Sequence, residues 1–291
     1  MNTFTHTWCK FLAISALIIF SVNALAKGGN DDDADDEEQP QLASQTQARS
    51  QTCEKIEAAR YVGLELSLEP EYMGSHQYRL SRSLVFEYQN PNGWFASSKR
   101  GLGYTVLDDT YEWSAALNYR SGRTESSNSG SINTGSASLL GMGDILLSAT
   151  ADLSLNIPVT EQLSVGLQAE LPVTNRDNGN LYKLGVNLSL LDLSKDQLDL
   201  ELLVSYADAA YAQTNYGVTL GQHLRSAYPR YQGQAGLESL TASVEWNHVY
   251  NDKWALLSSL EIKQLLGNPA GSPLSKNKTN VSLAVSLNYS F

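Results

Sequence analysis

The residues of this sequence with the most evident capacity for catalysis are its histidines. A hydrolytic Ser-His-Asp or Ser-His-Asn arrangement needs an imidazole beside a hydroxyl, oriented by a third polar group. Beyond the first 26 residues the histidines are His76, His223 and His248. His248 shares the apolar face of its segment with Val244 and Trp246, which favours an interfacial side chain over a base. His76 and His223 fall in loops without a surrounding motif, so the sequence predicts no catalytic residue.

Two glycine pairs and three carboxylates are candidate ligand sites. The segments Gly101-Leu102-Gly103 and Gly141-Met142-Gly143 resemble phosphate cradles. Neither leads into a helix, so tight turns or close packing are favoured. Asp108, Asp109 and Asp144 could hold a cation, but they lack the spaced ligands of a calcium loop. The sequence therefore predicts no cofactor and no metal.

Four arginines lie at predicted strand ends or in loops: Arg120, Arg123, Arg225 and Arg230. One hypothesis places them against lipopolysaccharide phosphates or at a selective lumen. Ordinary ion pairing with the many carboxylates of the chain is favoured instead. The formal net charge of −11, without a basic patch, argues against a nucleic-acid partner.

Alternating strands must position all of these residues. From about residue 60 onward, segments of roughly 8–14 residues alternate apolar and polar side chains between turn residues. The last segment is typical, with one face formed by Val281, Leu283, Val285, Leu287, Tyr289 and Phe291. This pattern predicts an all-β protein.

The composition of the two faces favours a membrane barrel over a water-soluble sandwich. The second face is polar and often charged: Glu65, Glu112, Asp152, Glu170, Lys183, Asp199, Glu201, Glu245, Glu261 and Lys263. Aromatic residues gather near the strand ends: Tyr61, Tyr88, Trp94, Tyr104, Tyr111, Tyr119, Tyr182, Tyr206, Trp246, Trp254 and Tyr289. A transmembrane antiparallel β-barrel combines an apolar exterior, a polar lumen and aromatic girdles in this way.

The linkers leave the strand number at ten or twelve. Short linkers at 90–93, 158–161, 194–196 and 251–253 alternate with long polar ones at 121–143, 173–180, 207–236 and 267–278. An even number follows if both termini face the periplasm. Twelve is preferred, with residues 93–107 divided into two strands at 99–101. Residues 214–220 are then predicted to lie in a loop without crossing the membrane.

The N-terminal residues are predicted to lie outside the barrel. Lys10, an apolar run at 11–20 and Ala24-Leu25-Ala26 indicate a cleaved signal peptide over residues 1–26. Residues 27–57, with the acidic run 31–38, are predicted to form a disordered periplasmic tail. The barrel is expected to span residues 58–291. Cys53 then has no intrachain disulfide partner.

Short motifs along the chain resemble the MipA/OmpV family of Gram-negative outer-membrane proteins. The resemblance covers about residues 60–291. Its marks include Tyr72, Gly74, Ser75, Gly122, Arg123, Gly141, Gly143, Asp144, Tyr216, Gly217, Tyr228, Tyr231, Ser272 and Pro273. The closing Tyr289 and Phe291 resemble the aromatic signal that the outer-membrane assembly machinery reads.

Several expectations follow from this resemblance alone. It implies a non-enzymatic barrel, exported to the outer membrane, in contact with membrane lipid and lipopolysaccharide. The named member of the family is a scaffold that brings a murein lytic transglycosylase together with a penicillin-binding protein. Other members are described as porin-like or adhesive, or as affecting envelope stress. A scaffold is therefore the first expectation, and a narrow solute channel or an envelope-stress or adhesion barrel is the alternative.

Overall fold

A computed structural model of the chain describes residues 58–126 and 134–291. The predicted signal peptide, the predicted tail at 27–57 and Cys53 lie outside the described residues. The first strand begins at Ala59.

Twelve antiparallel strands form one closed barrel. Their bounds are β1 Ala59–Pro70, β2 Tyr78–Gln89, β3 Trp94–Ser97, β4 Gly101–Leu107, β5 Glu112–Arg120, β8 Ser148–Pro158, β9 Leu163–Pro172, β10 Leu181–Asp192, β11 Asp196–Ala207, β12 Gly236–Asn251, β13 Trp254–Leu265 and β14 Thr279–Ser290. Two further strands, β6 Arg123–Thr124 and β7 Thr134–Gly135, form a small parallel pair apart from the barrel.

Neighbouring barrel strands follow one another along the chain, and β1 closes the sheet on β14. The closing register runs from Tyr61 opposite Ser290 to Leu68 opposite Leu283. The preferred count of twelve is confirmed, including the division of residues 93–107 into β3 and β4. Closure leaves the sheet without the two edges that an open sheet would expose.

The two faces of the strands are as predicted. Leu64, Leu84 and Leu167 are among the large apolar residues exposed on the outer surface. Alternate positions, such as Thr150 and Asn187, are polar and buried inside. Tyr61 is an exception to the predicted girdle. It is 4% exposed, and because it alternates with the outward-facing Val62, it faces the lumen.

Helices are confined to the connections between strands. These are α1 Ala209–Tyr216, α2 Leu220–Arg225, α3 Gly267–Gly271 and the short 3-10 helices Ala137–Leu139 and Arg176–Asn178. Residues 214–220 lie between barrel strands β11 and β12, as predicted. No helix in the described ranges has the length and apolar character needed to traverse a bilayer.

The two ends of the barrel differ in the length of their connections. The end called here the loop end carries the connections 71–77, 121–147, 173–180, 208–235 and 266–278. The opposite turn end carries 90–93, 108–111, 159–162, 193–195 and 252–253, together with Ala59 and Ser290 at the ends of the sheet. Aromatic rings pair at the turn end, with Trp254 and Tyr289 centroids 5.0 Å apart.

Adjacent residues of β13 give a matched test of the apolar exterior. Leu260 faces outward at 38% exposure, whereas Ser259 faces the lumen and pairs in register with Glu245. Leu260→Arg should destabilise folding into lipid vesicles by about 2–4 kcal/mol, because the guanidinium would enter acyl chains near the midplane. Ser259→Arg should cost far less, because the lumen offers water and a carboxylate. Equal losses in a denaturant titration of the two variants would contradict the membrane-facing assignment.

Candidate functional site

The connections at the loop end pack into a single structure, called here the cap. It consists of the described residues of 71–77, 121–147, 173–180, 208–235 and 266–278. Its apolar core comes from four of these connections and contains Tyr72, Leu139, Met142, Val218, Tyr228 and Leu274, with Tyr231 packed against it. The cap therefore has a core of its own, separate from the barrel wall.

The motif Tyr72-Met73-Gly74-Ser75 joins the first connection to the last. The Tyr72 hydroxyl donates to the Leu274 carbonyl at 3.1 Å. The Gly74 N–H donates to Asn280 Oδ1 at 2.8 Å, and Asn280 Nδ2 donates to the Ser75 carbonyl at 2.9 Å. Burial raises the pKa of Tyr72 to about 12, which keeps its hydroxyl protonated as a donor.

The segment Gly141-Met142-Gly143 does cradle an anionic group, but the group belongs to the protein. The carboxylate of Glu125 accepts hydrogen bonds from the N–H groups of Gly141 at 3.0 Å and Gly143 at 2.7 Å. Asp144 Oδ1 in turn accepts from the Glu125 N–H at 2.9 Å. Both glycines have positive φ, +87° and +75°. This geometry explains the glycines as parts of a turn that fixes a neighbouring loop.

Arg123 occupies a buried position beside the preceding Gly122, which is buried as well. Its side chain is 8% exposed, and its Nη1 donates to the Asn215 carbonyl at 2.8 Å. Its guanidinium carbon lies 6.0 Å from the centroid of the Tyr72 ring. Burial lowers the pKa of Arg123, although the neighbouring tyrosines act in the opposite direction, and no ion pair to it forms within the described residues. The predicted ordinary ion pairing does not describe this residue.

The other three arginines differ from Arg123. Arg120 pairs with Glu170 at 2.5 Å and also donates to the Gly179 carbonyl at 2.8 Å, so ion pairing is confirmed there. Arg225 and Arg230 are exposed on the cap. Arg120 thus links the barrel wall to the connection between β9 and β10.

Tyr216 and Gly217 end helix α1 at the centre of the cap. The Tyr216 hydroxyl donates to Glu238 Oε1 at 2.5 Å, and the Ser272 hydroxyl donates to the Tyr216 carbonyl at 2.6 Å. Burial, with the Glu238 carboxylate nearby, raises the pKa of Tyr216. The Gly217 N–H caps the helix at the Gln213 carbonyl, 3.0 Å away.

Tyr228 and Tyr231 bind backbone carbonyls of other connections. Tyr228 donates to Ser138 at 2.8 Å and Tyr231 donates to Asn268 at 2.7 Å. His223 Nδ1 lies 2.7 Å from the Tyr228 carbonyl, so this imidazole also makes a local backbone contact. Pro273 follows Ser272 in the last connection and is half-buried. Each of these side chains fixes one connection against another.

The structure brings fourteen of the sixteen predicted motif residues together in the cap. Tyr289 and Phe291 are the two that lie apart, at the turn end of β14. The Phe291 ring is 72% exposed, and its N–H donates to the Arg60 carbonyl at 3.4 Å. Their outward position fits the predicted assembly signal, which stays a prediction.

Sequence reasoning missed three residues that hold the cap together, Glu125, Glu238 and Asn280, whereas Gln222 belongs to the motifs of the family resemblance. Gln222 caps its own helix at Thr219 and donates to the Met142 carbonyl at 2.8 Å. Asn280 lies at the loop end of β14 on the lumen face and is 2% exposed. The alternation of β14 could have assigned Asn280 to the lumen, but nothing in the sequence pairs it with residues 74 and 75.

Two of the histidines, His223 and His248, lie at opposite ends of the barrel. His248 lies at the turn end on the outer face, where its Nδ1 contacts Asp196 Oδ1 at 2.7 Å and its ring meets Tyr250. Within residues 58–126 and 134–291, no three His, Cys, Asp or Glu side chains are grouped to hold a metal. What the arrangement does is join five connections across the mouth of the barrel.

Comparison with known proteins gives a family and a set of distant folds. The model of a family described as MltA-interacting protein MipA matches residues 62–291. No curated protein matches the sequence. A KdgM porin structure is similar at 10% identity over 79% of this chain and 99% of that chain, with a TM-score of 0.43. A NanC porin structure is similar at 11% identity over 78% and 100%, with a TM-score of 0.44.

Three glycines of the cap allow a graded test of its packing. A Cβ on Gly141 would lie 2.1 Å from the Arg225 carbonyl oxygen, whereas Gly143 and Gly221 have nothing within 4 Å. Gly143→Ala should cost about 1–2 kcal/mol, because its positive φ disfavours a side chain. Gly141→Ala should cost more, and Gly221→Ala should be neutral. Trypsin should therefore cleave the cap severalfold faster in the Gly141 variant than in the Gly221 variant.

Cleavage by trypsin reports on the packing of the cap and not on that of the barrel. Arg225 and Arg230 supply exposed cleavage sites within the cap, while the barrel strands stay protected by their hydrogen bonds. Indistinguishable cleavage rates for the Gly141 and Gly221 variants would mean that the cap is not a tightly packed unit.

Proposed function

The chain belongs to the MltA-interacting protein MipA family, and from this membership we propose that it is a non-enzymatic scaffold of the outer membrane. In this proposal it docks enzymes of peptidoglycan synthesis and hydrolysis on its periplasmic side. The named partners are a murein lytic transglycosylase and a penicillin-binding protein. The chain would be exported through a cleaved signal peptide in a Gram-negative bacterium.

The observation that supports this proposal most is the cross-linked cap. Side chains such as Tyr72, Tyr228 and Ser272 tie one connection to another through hydrogen bonds of 2.6–3.1 Å. A mouth spanned by packed connections is a poor entrance for free solute. Long connections face outward in outer-membrane barrels, so the cap is assigned to the cell surface, in contact with lipopolysaccharide.

This assignment directs the turn end toward the peptidoglycan. The exposed turns at 90–93 and 108–111 lie there, and the predicted acidic tail at 27–57 would emerge beside them from β1. Short turns on a rigid barrel hold their side chains in fixed positions, which suits a docking surface. The tail would add reach and negative charge to that surface.

Site-specific photo-crosslinking in whole envelopes tests the scaffold. A crosslinking side chain at Asn92 or Asp109, both exposed at the turn end, should capture a lytic transglycosylase or a penicillin-binding protein. The same side chain at Gly221 on the cap provides the matched control and should capture neither. Removal of residues 31–38 should lower the yield if the tail contributes. Failure to enrich a murein synthase or hydrolase from either turn would count against the scaffold.

A narrow channel is the second candidate, favoured by the charged lumen. Lumen-facing strand positions carry more carboxylates than cations, including Glu65, Glu87, Asp152, Glu201 and Glu245. An acidic passage of this kind would select cations. A barrel of twelve strands can nevertheless be filled by side chains and by its cap.

Planar-bilayer recording separates the two candidates. The intact protein should give no stable conductance steps, because the cap covers the lumen. Gly141→Ala, which introduces a clash with the Arg225 carbonyl, should loosen the cap and give cation-selective steps. Gly221→Ala should behave as the intact protein. Stable steps from the unaltered protein would favour the channel over the scaffold.

A further inference from the structure

The barrel wall contains one hairpin that is much shorter than its neighbours. Strand β3 has 4 residues and β4 has 7, whereas the adjoining β2 has 12. Strand β2 pairs with β3 only from Glu87 to Gln89. The last link is made at Ser98, whose N–H donates to the Phe86 carbonyl at 3.1 Å.

Above this hairpin, one edge of β2 has no strand beside it. In an antiparallel strand, alternate residues direct their N–H and C=O groups to opposite neighbours. Phe86 bonds toward β3, so Leu84, Arg82 and Leu80 direct their backbone groups to the same side. No described residue pairs with these three on that side. The intervening residues, such as Ser83, pair with β1.

Below the gap, the hairpin tip contacts β5, because Asn118 Nδ2 donates to the Lys99 carbonyl at 3.1 Å. Through the registers of β2 with β3, β3 with β4 and β4 with β5, Asn118 is level with Glu87, so β5 ends at Arg120, level with Val85. Opposite Leu84 and Arg82 the chain therefore continues as the connection that begins at residue 121. The gap, called here the lateral window, is bounded by β2, the tip at 98–100 and the start of that connection.

A sheet edge facing acyl chains would leave N–H and C=O groups unsatisfied, and such edges are tolerated only where they line a wet cavity. The lateral window meets this condition. Ser83 faces the lumen side and is exposed, and its hydroxyl lies 3.3 Å from Glu65 Oε1. Lys99 Nζ pairs with Glu65 at 2.6 Å across the floor of the window. Polar lumen groups therefore reach the opening in the wall.

Arg82 stands on the outer rim of the lateral window. It is exposed, alternates with the outward Leu80 and Leu84, and no carboxylate pairs with it among the described residues. It lies four residues from Tyr78, the first residue of β2 at the loop end, and thus about 10 Å deeper along the membrane normal for a strand tilted as in such barrels. A cation at that depth on a lipid-facing surface is unfavourable unless water or an anion meets it.

We propose that the lateral window is a portal for a single-chain amphiphile with an anionic head group. Arg82 would bind the head at the rim, and the chain would stay in the outer leaflet beside Leu80 and Leu84. Charge complementarity selects the anion, because the exposed rim carries a cation that has no ion-pair partner within residues 58–126 and 134–291. The portal does not depend on the proposed scaffold, since the two use opposite parts of the barrel.

Amide hydrogen exchange measured by NMR in neutral-lipid nanodiscs tests whether the window is open. The amides of Leu80, Arg82 and Leu84 should exchange at least tenfold faster than those of Ser81, Ser83 and Val85, which bond to β1. The second set is a matched control within the same strand. Slow exchange of both sets would mean that another segment covers the edge, and the portal would be wrong.

Binding of nitroxide-labelled stearate, followed by spin-label immobilisation, tests the ligand class. Arg82→Gln should weaken binding about tenfold, the size of one charge-assisted hydrogen bond. Arg176→Gln, an exposed arginine in the β9–β10 connection, should leave binding unchanged. The methyl ester of the same labelled acid has no charge, so it should bind the unaltered protein and the Arg82 variant equally. Equal binding of the acid by both variants, or equal binding of acid and ester by the unaltered protein, would overturn the proposal.

Discussion

Satisfaction of backbone hydrogen bonds in a medium without water is the constraint on which this structure depends. Each unpaired N–H or C=O group in acyl chains costs several kcal/mol, so the sheet must close on itself. The register of β1 on β14, from Tyr61 to Leu68, completes that closure. In the closed sheet, the alternation of side chains directs leucines toward the lipid and polar groups toward the lumen.

The same constraint applies where the backbone is not paired within the closed sheet. The connections of the cap leave the sheet, and their backbone groups are satisfied by side chains such as Asn280 and Glu125. Among the described residues, Arg123 is held inside the cap by the Asn215 carbonyl and the Tyr72 ring, and no carboxylate pairs with it. At the short β3–β4 hairpin no such substitute is present among the described residues, so the proposed lateral window and the cap are separate features of this barrel.

Family membership and geometry bear on function at different levels. The family fixes the kind of protein, while the cap and the turns suggest which surfaces are free to act. A covered mouth favours a protein that holds partners over one that passes solutes, although the acidic lumen keeps the second possibility testable. The lateral window belongs to neither role and rests on strand pairing alone.

The sequence by itself determined the class of fold. Period-two alternation, the aromatic strand ends and the break at residues 99–101 were enough to predict a membrane barrel of ten or twelve strands, because these signals are local, and the structure decided for twelve. Only the tertiary structure decided how the motif residues meet. Asn280 binds residues 74 and 75 across about two hundred positions of chain, and the Gly141 turn holds Glu125 instead of a ligand. The inward position of Tyr61, and the edge of β2 at Arg82 that no described residue pairs, also depend on register and strand length, which local sequence pattern does not set.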